Sequence, residues 1–359
     1  MQGIQNMQEV QIREAQNKNT NTTSREWHGK PYYSLDSYCK NTYGEKVYKI
    51  ALDAGMTCPN RDGKLDTRGC IFCSSGGSGD FAAQSAVQIT ASSTHSQRIE
   101  DSIQAQLLQG KELFNGRITS GKKLSAKKTG HSFIAYFQSY TNTYASVSYL
   151  YEVFHAALSD TSIIGISIGT RPDCISTDTC ALFLKLRQEF PHKFIWIELG
   201  LQTIHEQTAV YIRRGYPLSC FEACIQLLRA YDIPVIVHVI LGLPGETHEM
   251  MLETIHYLNH CNIQGIKLQL LHVLQNTDLC IEYQKHVFTT LTRNAYIDLV
   301  ISCLEHLSPD IVIHRVTGDG PKNLLVAPLW SSDKRRVLNT LHQEMKQRNK
   351  QQGKAWLPS

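Results

Sequence analysis

The sequence has no export signal, no membrane span and no second copy of its single paired-cysteine motif. Its opening, MQGIQNMQEVQIREAQNKNT, carries no apolar run of the kind that directs secretion. No stretch of about eighteen apolar residues occurs, so no bilayer-crossing helix is expected. Charge is sparse: 19% of residues are Asp, Glu, Lys or Arg, with a net +4, which permits a polyanionic partner but does not demand one. Together these absences imply a reducing cytoplasmic setting. There, clustered cysteines mean metal or catalysis more often than disulfides.

What is present is a chain of 359 residues, 42% hydrophobic, with eleven cysteines. That length suits one large α/β domain or two ordinary ones. Residues 1–26 are rich in Gln, Asn and Thr and read as a disordered leader. Six apolar runs then read as buried parallel strands: KVYKIALD (46–53), SFIAYFQ (132–138), IIGISIGT (163–170), FIWIELGL (194–201), PVIVHVIL (234–241) and GIKLQLLH (265–272). Amphipathic helices lie between them, with apolar faces such as Ile99, Ile103 and Leu107, or Leu150, Val153, Phe154, Ala157 and Leu158. Six strand–helix units predict an α/β fold, either an open parallel sheet or a partial (β/α)6 barrel, short of the eight units of a closed one. Both place chemistry at the C-terminal ends of the strands. The residues there turn polar in turn: a cysteine loop, then Gln138–Thr143, Thr170–Arg171–Asp173, Glu198–Gln202–Thr203, Gly242–Gly245–Glu246 and His272.

The cysteine loop is CPNRDGKLDTRGCIFC, in which Cys58, Cys70 and Cys73 are spaced C-x11-C-x2-C. One reading is a structural zinc site closed by a distant fourth ligand. The other is a [4Fe–4S] cluster, which normally takes four thiolates. With three, one iron keeps a position for an exogenous ligand, and that suits radical chemistry with S-adenosylmethionine. The remaining cysteines are scattered and read as buried thiols.

The ordered motifs KIALDAGMTCPNRDG, GCIFCSSGGSGDF, AYFQSYTNTYA, GISIGTRPDC, ELGLQT, RRGY, VHVILGLPGE, KLQLLHVLQNTDL and HRVTGDGPKNLLVAPLW resemble a radical S-adenosylmethionine (SAM) enzyme. The resemblance is to a bacterial subfamily with the long cysteine spacing, related to the Elongator catalytic subunit and the methylthiotransferases. It spans about residues 27–340. It implies a partial barrel core over 27–275, a C-terminal extension over 276–340 packed on it, and a basic tail over 341–359. It implies cluster ligation by Cys58, Cys70 and Cys73, and reductive cleavage of SAM to a 5′-deoxyadenosyl radical with electrons from a donor such as flavodoxin or ferredoxin. It implies cofactor contacts from Gln138 (methionyl amino group), Glu198 with Gln202 (ribose), Arg214, with Arg213 an equal candidate (carboxylate), and Gly242 (adenine). Arg171 and Asp173 either contact ligand or pair with each other. His272, His314 and Asp319 stay outside the catalytic set.

Two basic stretches bear on the substrate. GRITSGKKLSAKKTG (116–130) has five cations and no acid, and residues 334–354 have seven cations and one acid. Such segments suit phosphate backbones, though solvated loops carry the same composition. With the kinship to RNA-modifying enzymes, they favour a tRNA substrate modified at a wobble-uridine side chain. A small metabolite or cofactor precursor is the alternative, and a non-catalytic zinc module ranks last.

Overall fold

Apolar runs alternate with helical ones along the chain, and the computed structural model turns that alternation into one curled parallel sheet. It describes residues 26–74, 76–77, 95–120, 131–318 and 320–358. The expected leader up to residue 25, residues 121–130 of the first basic stretch and Asp319 lie outside the described residues.

After helix α1 (Leu35–Tyr43) come β1 (Tyr48–Leu52), α2 (His95–Ser120), β2 (Phe133–Phe137), α3 (Val147–Ser159) and β3 (Ile163–Thr170). The pattern continues through α4 (Thr177–Glu189), β4 (Phe194–Gln202), α5 (Glu206–Tyr211), α6 (Leu218–Ala230), β5 (Val235–Leu241), α7 (His248–His260) and β6 (Gly265–Leu270). The last part holds β7 (Val273–Leu274), α8 (Asp278–Gln284), α9 (Arg293–His306), β8 (Val312–Arg315), β9 (Leu325–Ala327) and α10 (Lys334–Gln347). Helix starts follow their sequence signals. The Ser176 side chain accepts from the Thr179 amide to open α4, and Thr247 does the same for Met250 in α7.

The main sheet runs β1-β2-β3-β4-β5-β6-β8, every pair parallel. Six strands are expected from sequence and seven form. The added β8 is only four residues long and half polar, too short to stand out as an apolar run. It lies inside the segment expected to form an extension packed on the barrel, and it extends the sheet itself. The boundary expected at residue 340 falls within α10, whose Val337, Leu341 and Met345 are buried. A two-stranded antiparallel ladder of β7 and β9 adds a second small sheet.

The curl follows from contacts across the inner face. Lys267 on β6 donates to the Tyr136 hydroxyl on β2 at 2.9 Å. Strands four places apart would stand roughly 19 Å apart in a flat sheet. Along β4, Ile195, Ile197, Leu199 and Leu201 face outward into the helix-covered core, while Trp196, Glu198, Gly200 and Gln202 face inward. Trp196, Ile134 and Ile236 close the N-terminal end of the barrel, with Leu35 and Tyr38 of α1 packed beneath them.

The two ends of the described chain meet at β8. The Ile313 amide donates to the Tyr33 carbonyl at 2.8 Å. Gln352 accepts from the Tyr33 amide at 2.9 Å and donates to the carbonyls of Ser308 and Ile311 at 2.7 and 2.9 Å. Among the described residues no helix is long and apolar enough to cross a membrane.

Candidate active site

A cavity of about 1240 Å³ opens within the curl, and Cys58, Cys70 and Cys73 all line it. The loop that carries them leaves β1 and folds back on itself. The amides of Arg61 and Asp62 donate to the Cys58 carbonyl, and the Gly69 amide donates to Asn60 at 2.7 Å. Gly69 has φ +76° and packs on the Arg61 side chain, so a Cβ there would collide with it. Arg61 donates to the carbonyls of Cys73 and Ser74 at 3.1 and 2.5 Å. The loop is therefore fastened by its own backbone and one guanidinium.

All three thiols are free. The Asn60 side-chain amide donates to the Cys70 sulfur at 3.4 Å, and Arg171 approaches Cys58 at 4.0 Å. A hydrogen bond from Cys73 lowers the Cys70 pKa to about 7 against the effect of burial, with Arg171, Asn60 and Arg61 assisting. The same bond, with burial, pushes the Cys73 thiol well above its ordinary range. Among the described residues no three His, Cys, Asp or Glu side chains converge at the distances of one metal ion. A cubane bound through three of its irons asks something different: thiolates directed at separate metals. Three thiols on one wall, with cationic and amide donors to hold thiolate charge, fit that donor set.

The cavity also brings together Gln138, Glu198, Gln202 and Arg214. Gln138 follows the end of β2. Gln202 closes β4 in a left-handed conformation, φ 64°, and its Oε1 accepts from Tyr216 at 3.4 Å. Gly242 is not in the wall; Ile240, two residues earlier on β5, is.

Two of the expected ligand contacts are already engaged by the protein. Glu198 stands at the middle of β4, not at its end, and is fully buried. Its Oε1 accepts from Lys49 at 2.7 Å and Ser167 at 2.6 Å; its Oε2 accepts from His238 at 2.7 Å and from Lys267. Arg214 is 2% exposed. It donates to the carbonyls of Tyr216 (2.9 Å), Leu201 (3.2 Å) and Thr203 (2.7 Å) and faces Glu206 at 3.3 Å. Arg214 thus ties the end of β4 to the following loop, while Arg213 turns away to Asp278. Arg171 makes a two-bond pair with Asp173 at 2.9 and 2.7 Å and lies over the Tyr216 ring. Of the two roles open to that pair, the structural one is formed. His272 is bonded to Ser331 at 3.0 Å, and His314 packs edge-on to Trp196.

The largest omission of the sequence reading is the ionic layer beneath this site: Lys49, His238 and Lys267 around Glu198. The signal was available. The runs VYKIAL, IWIEL, VIVHVI and GIKLQL each carry one Lys, Glu or His in a mostly apolar strand. A strand buried on both faces should read as continuously apolar.

A model described as the radical SAM superfamily matches residues 67–258, and one described as the radical SAM C-terminal domain matches residues 263–347. The Bacillus subtilis protein YtqA is 38% identical over 325 residues, which is 90% of this chain and 92% of that protein. The tRNA uridine(34) acetyltransferase of Dehalococcoides mccartyi is 25% identical over 188 residues, 50% of this chain and 39% of that one. Among solved structures, the archaeal Elp3 of Methanocaldococcus infernus superposes with a TM-score of 0.58 at 14% identity, over 85% of this chain and 64% of that one. This last likeness is one of fold. The chain spans under two thirds of that structure.

Proposed function

Because the chain belongs to the radical SAM superfamily and is a radical SAM enzyme, we propose that Cys58, Cys70 and Cys73 hold a [4Fe–4S] cluster with one iron left for S-adenosylmethionine. The observation that carries this is the meeting of all three thiols on one cavity wall. Such a cluster supplies the electron that cleaves SAM to methionine and a 5′-deoxyadenosyl radical.

The chain's own residues do the positioning. Arg61 and Asn60 fix the cysteine loop, and Arg171 places positive charge beside Cys58. Gln138 and Gln202, at the ends of β2 and β4, offer amides to the methionyl and ribose groups. Glu198 and Arg214 act from behind them, one holding the barrel interior and the other the β4 end. The adenine-facing role expected of Gly242 moves to the Ile240 end of β5. Anaerobic reconstitution tests this reading: about four irons and four sulfides per chain are expected, and one zinc with no iron would overturn it.

For the substrate we propose a transfer RNA, modified at a wobble-uridine side chain. Kinship with the tRNA uridine(34) acetyltransferase supports this. So do Lys322, Lys334 and Arg335, cations that line the same cavity. Electrons would come from a reductant such as flavodoxin or ferredoxin. Nucleoside analysis of bulk tRNA from a deletion strain decides the matter. One modified uridine should be missing; an unchanged profile would point to a small-molecule substrate instead.

A further inference from the structure

The radical chemistry proposed above uses Glu198 only as a support and assigns no ligand to the charged layer on the barrel's inner face. That layer is built around one carboxylate. Glu198, fully buried on β4, meets Lys49 from β1 and Lys267 from β6. Among the described residues no second carboxylate reaches either lysine, so two ammonium groups share one counter-charge. Both ammonium groups also lie over the Tyr136 ring, at 4.8 and 4.2 Å from its centre. His238 adds no charge of its own. Its Nε2 bonds Glu198 at 2.7 Å and its Nδ1 meets the Gln269 amide nitrogen at 3.2 Å, an arrangement that suits a neutral ring. Surplus positive charge inside a barrel is costly unless an anion answers it.

Two further observations point to the cavity as the side from which an anion would answer that charge. Lys49, Lys267, His238 and His314 line the same continuous space as the cysteines. Above them the wall is stripped of bulk: β1, β3 and β4 present Ala51, Gly169 and Gly200 to the cavity.

We propose that this layer is an anion subsite that seats a carboxylate or phosphate group of the substrate, with Lys267 and Lys49 as its cationic partners and His238 and His314 beside them. Burial, with Lys49 and Arg315 nearby, pushes the Lys267 pKa well below its ordinary value. An anion beside Lys267 would oppose that shift. The site reads one end of the substrate at the barrel floor while the reacting end faces the cysteines. The inference rests on the enzymatic reading only in calling the bound group the substrate's.

The test is calorimetric titration of the anaerobically reconstituted full chain, in zwitterionic buffer, with acetate and separately with inorganic phosphate. Saturable binding of at least one is expected, and the one that binds identifies the anion's class. Lys267→Met should weaken that binding about tenfold or more, the loss of a charged hydrogen-bond donor. Lys49→Met, at a partly exposed position, carries the same expectation should Lys267→Met fail to fold. Affinity for S-adenosylmethionine should hold in both variants. The proposal is overturned if neither anion saturates, if both variants bind anion like the parent, or if they lose S-adenosylmethionine instead. A chain that binds the anion but no S-adenosylmethionine would sink the radical reading and leave the subsite standing.

Discussion

The mouth and the floor of the one cavity are built on opposite electrostatic plans. At the mouth, the charged groups of the loops pair locally: Arg171 with Asp173, Arg213 and Arg68 both with Asp278, and Arg61 with the carbonyls of Cys73 and Ser74. These residues lie outside the sheet, on loops and, for Asp278, at the start of α8, where a change in one pair leaves the sheet intact. On the floor, a single buried carboxylate serves Lys49, Lys267, His238 and Ser167 from four different strands. Removing Glu198 would leave Lys49 and Lys267 unanswered together. The mouth can therefore be tuned residue by residue, whereas the floor must change as a unit.

Four measurements bear on this contrast, the largest effect first. Cys73→Ala should reduce 5′-deoxyadenosine formation under dithionite to the level of enzyme-free controls, while the thermal midpoint of the iron-free chain barely moves. A variant that still cleaves S-adenosylmethionine would mean that Cys73 is not a ligand. Glu198→Ala does the reverse, acting first on folding. It strands two ammonium groups in the interior and should cost about 3–5 kcal/mol in urea unfolding. A cost under about 1 kcal/mol would show that the layer is not electrostatically coupled.

The pH dependence comes next. Burial, with Lys267 nearby, lowers the His238 pKa from 6.5 to about 4. The unfolded chain takes up that proton near pH 6.5 and the folded chain only near pH 4. The contribution of His238 is therefore complete above pH 6.5 and is lost as pH falls toward 4, to a total of about 3 kcal/mol. Urea midpoints at pH 7 and pH 5 should show the slope, and His238→Gln should flatten it. The smallest effect belongs to the mouth's outer rim. Arg68, 64% exposed, shares Asp278 with Arg213. Arg68→Ala should change stability by only about 0.2–1 kcal/mol, and less in high salt. A larger loss would place the rim on the floor's plan.

The same division explains what could be read from the sequence. The strand–helix alternation and the cysteine loop were legible because periodicity and spacing are local properties. Ile99, Ile103 and Leu107 form a buried face as their spacing predicts. The roles of Glu198 and Arg214 were not legible, because each depends on groups brought in from elsewhere. Residue type suits both to a ligand, but neither its count of donors nor its count of acceptors can be balanced before the sheet has curled. Lys49 lies 149 positions from Glu198 and Lys267 lies 69 from it. Only the inward side of the alternation brings them together. Strand β8 escaped for another reason: four residues with His314 and Arg315 among them carry too little apolar signal.

The meeting of the two ends of the described chain at β8 has a consequence for how the molecule behaves in a crowd. An outermost parallel strand offers unsatisfied amides and carbonyls to any other strand that drifts by. Here the segment before α1 lies against β8, and the single side chain of Gln352 bonds both that segment and the turn leading into β8. Gln352 thus ties that segment to the edge that β8 would otherwise expose. Gln352 is not among the residues that line the cavity, so Gln352→Ala would loosen this edge cover and leave the lining itself unchanged.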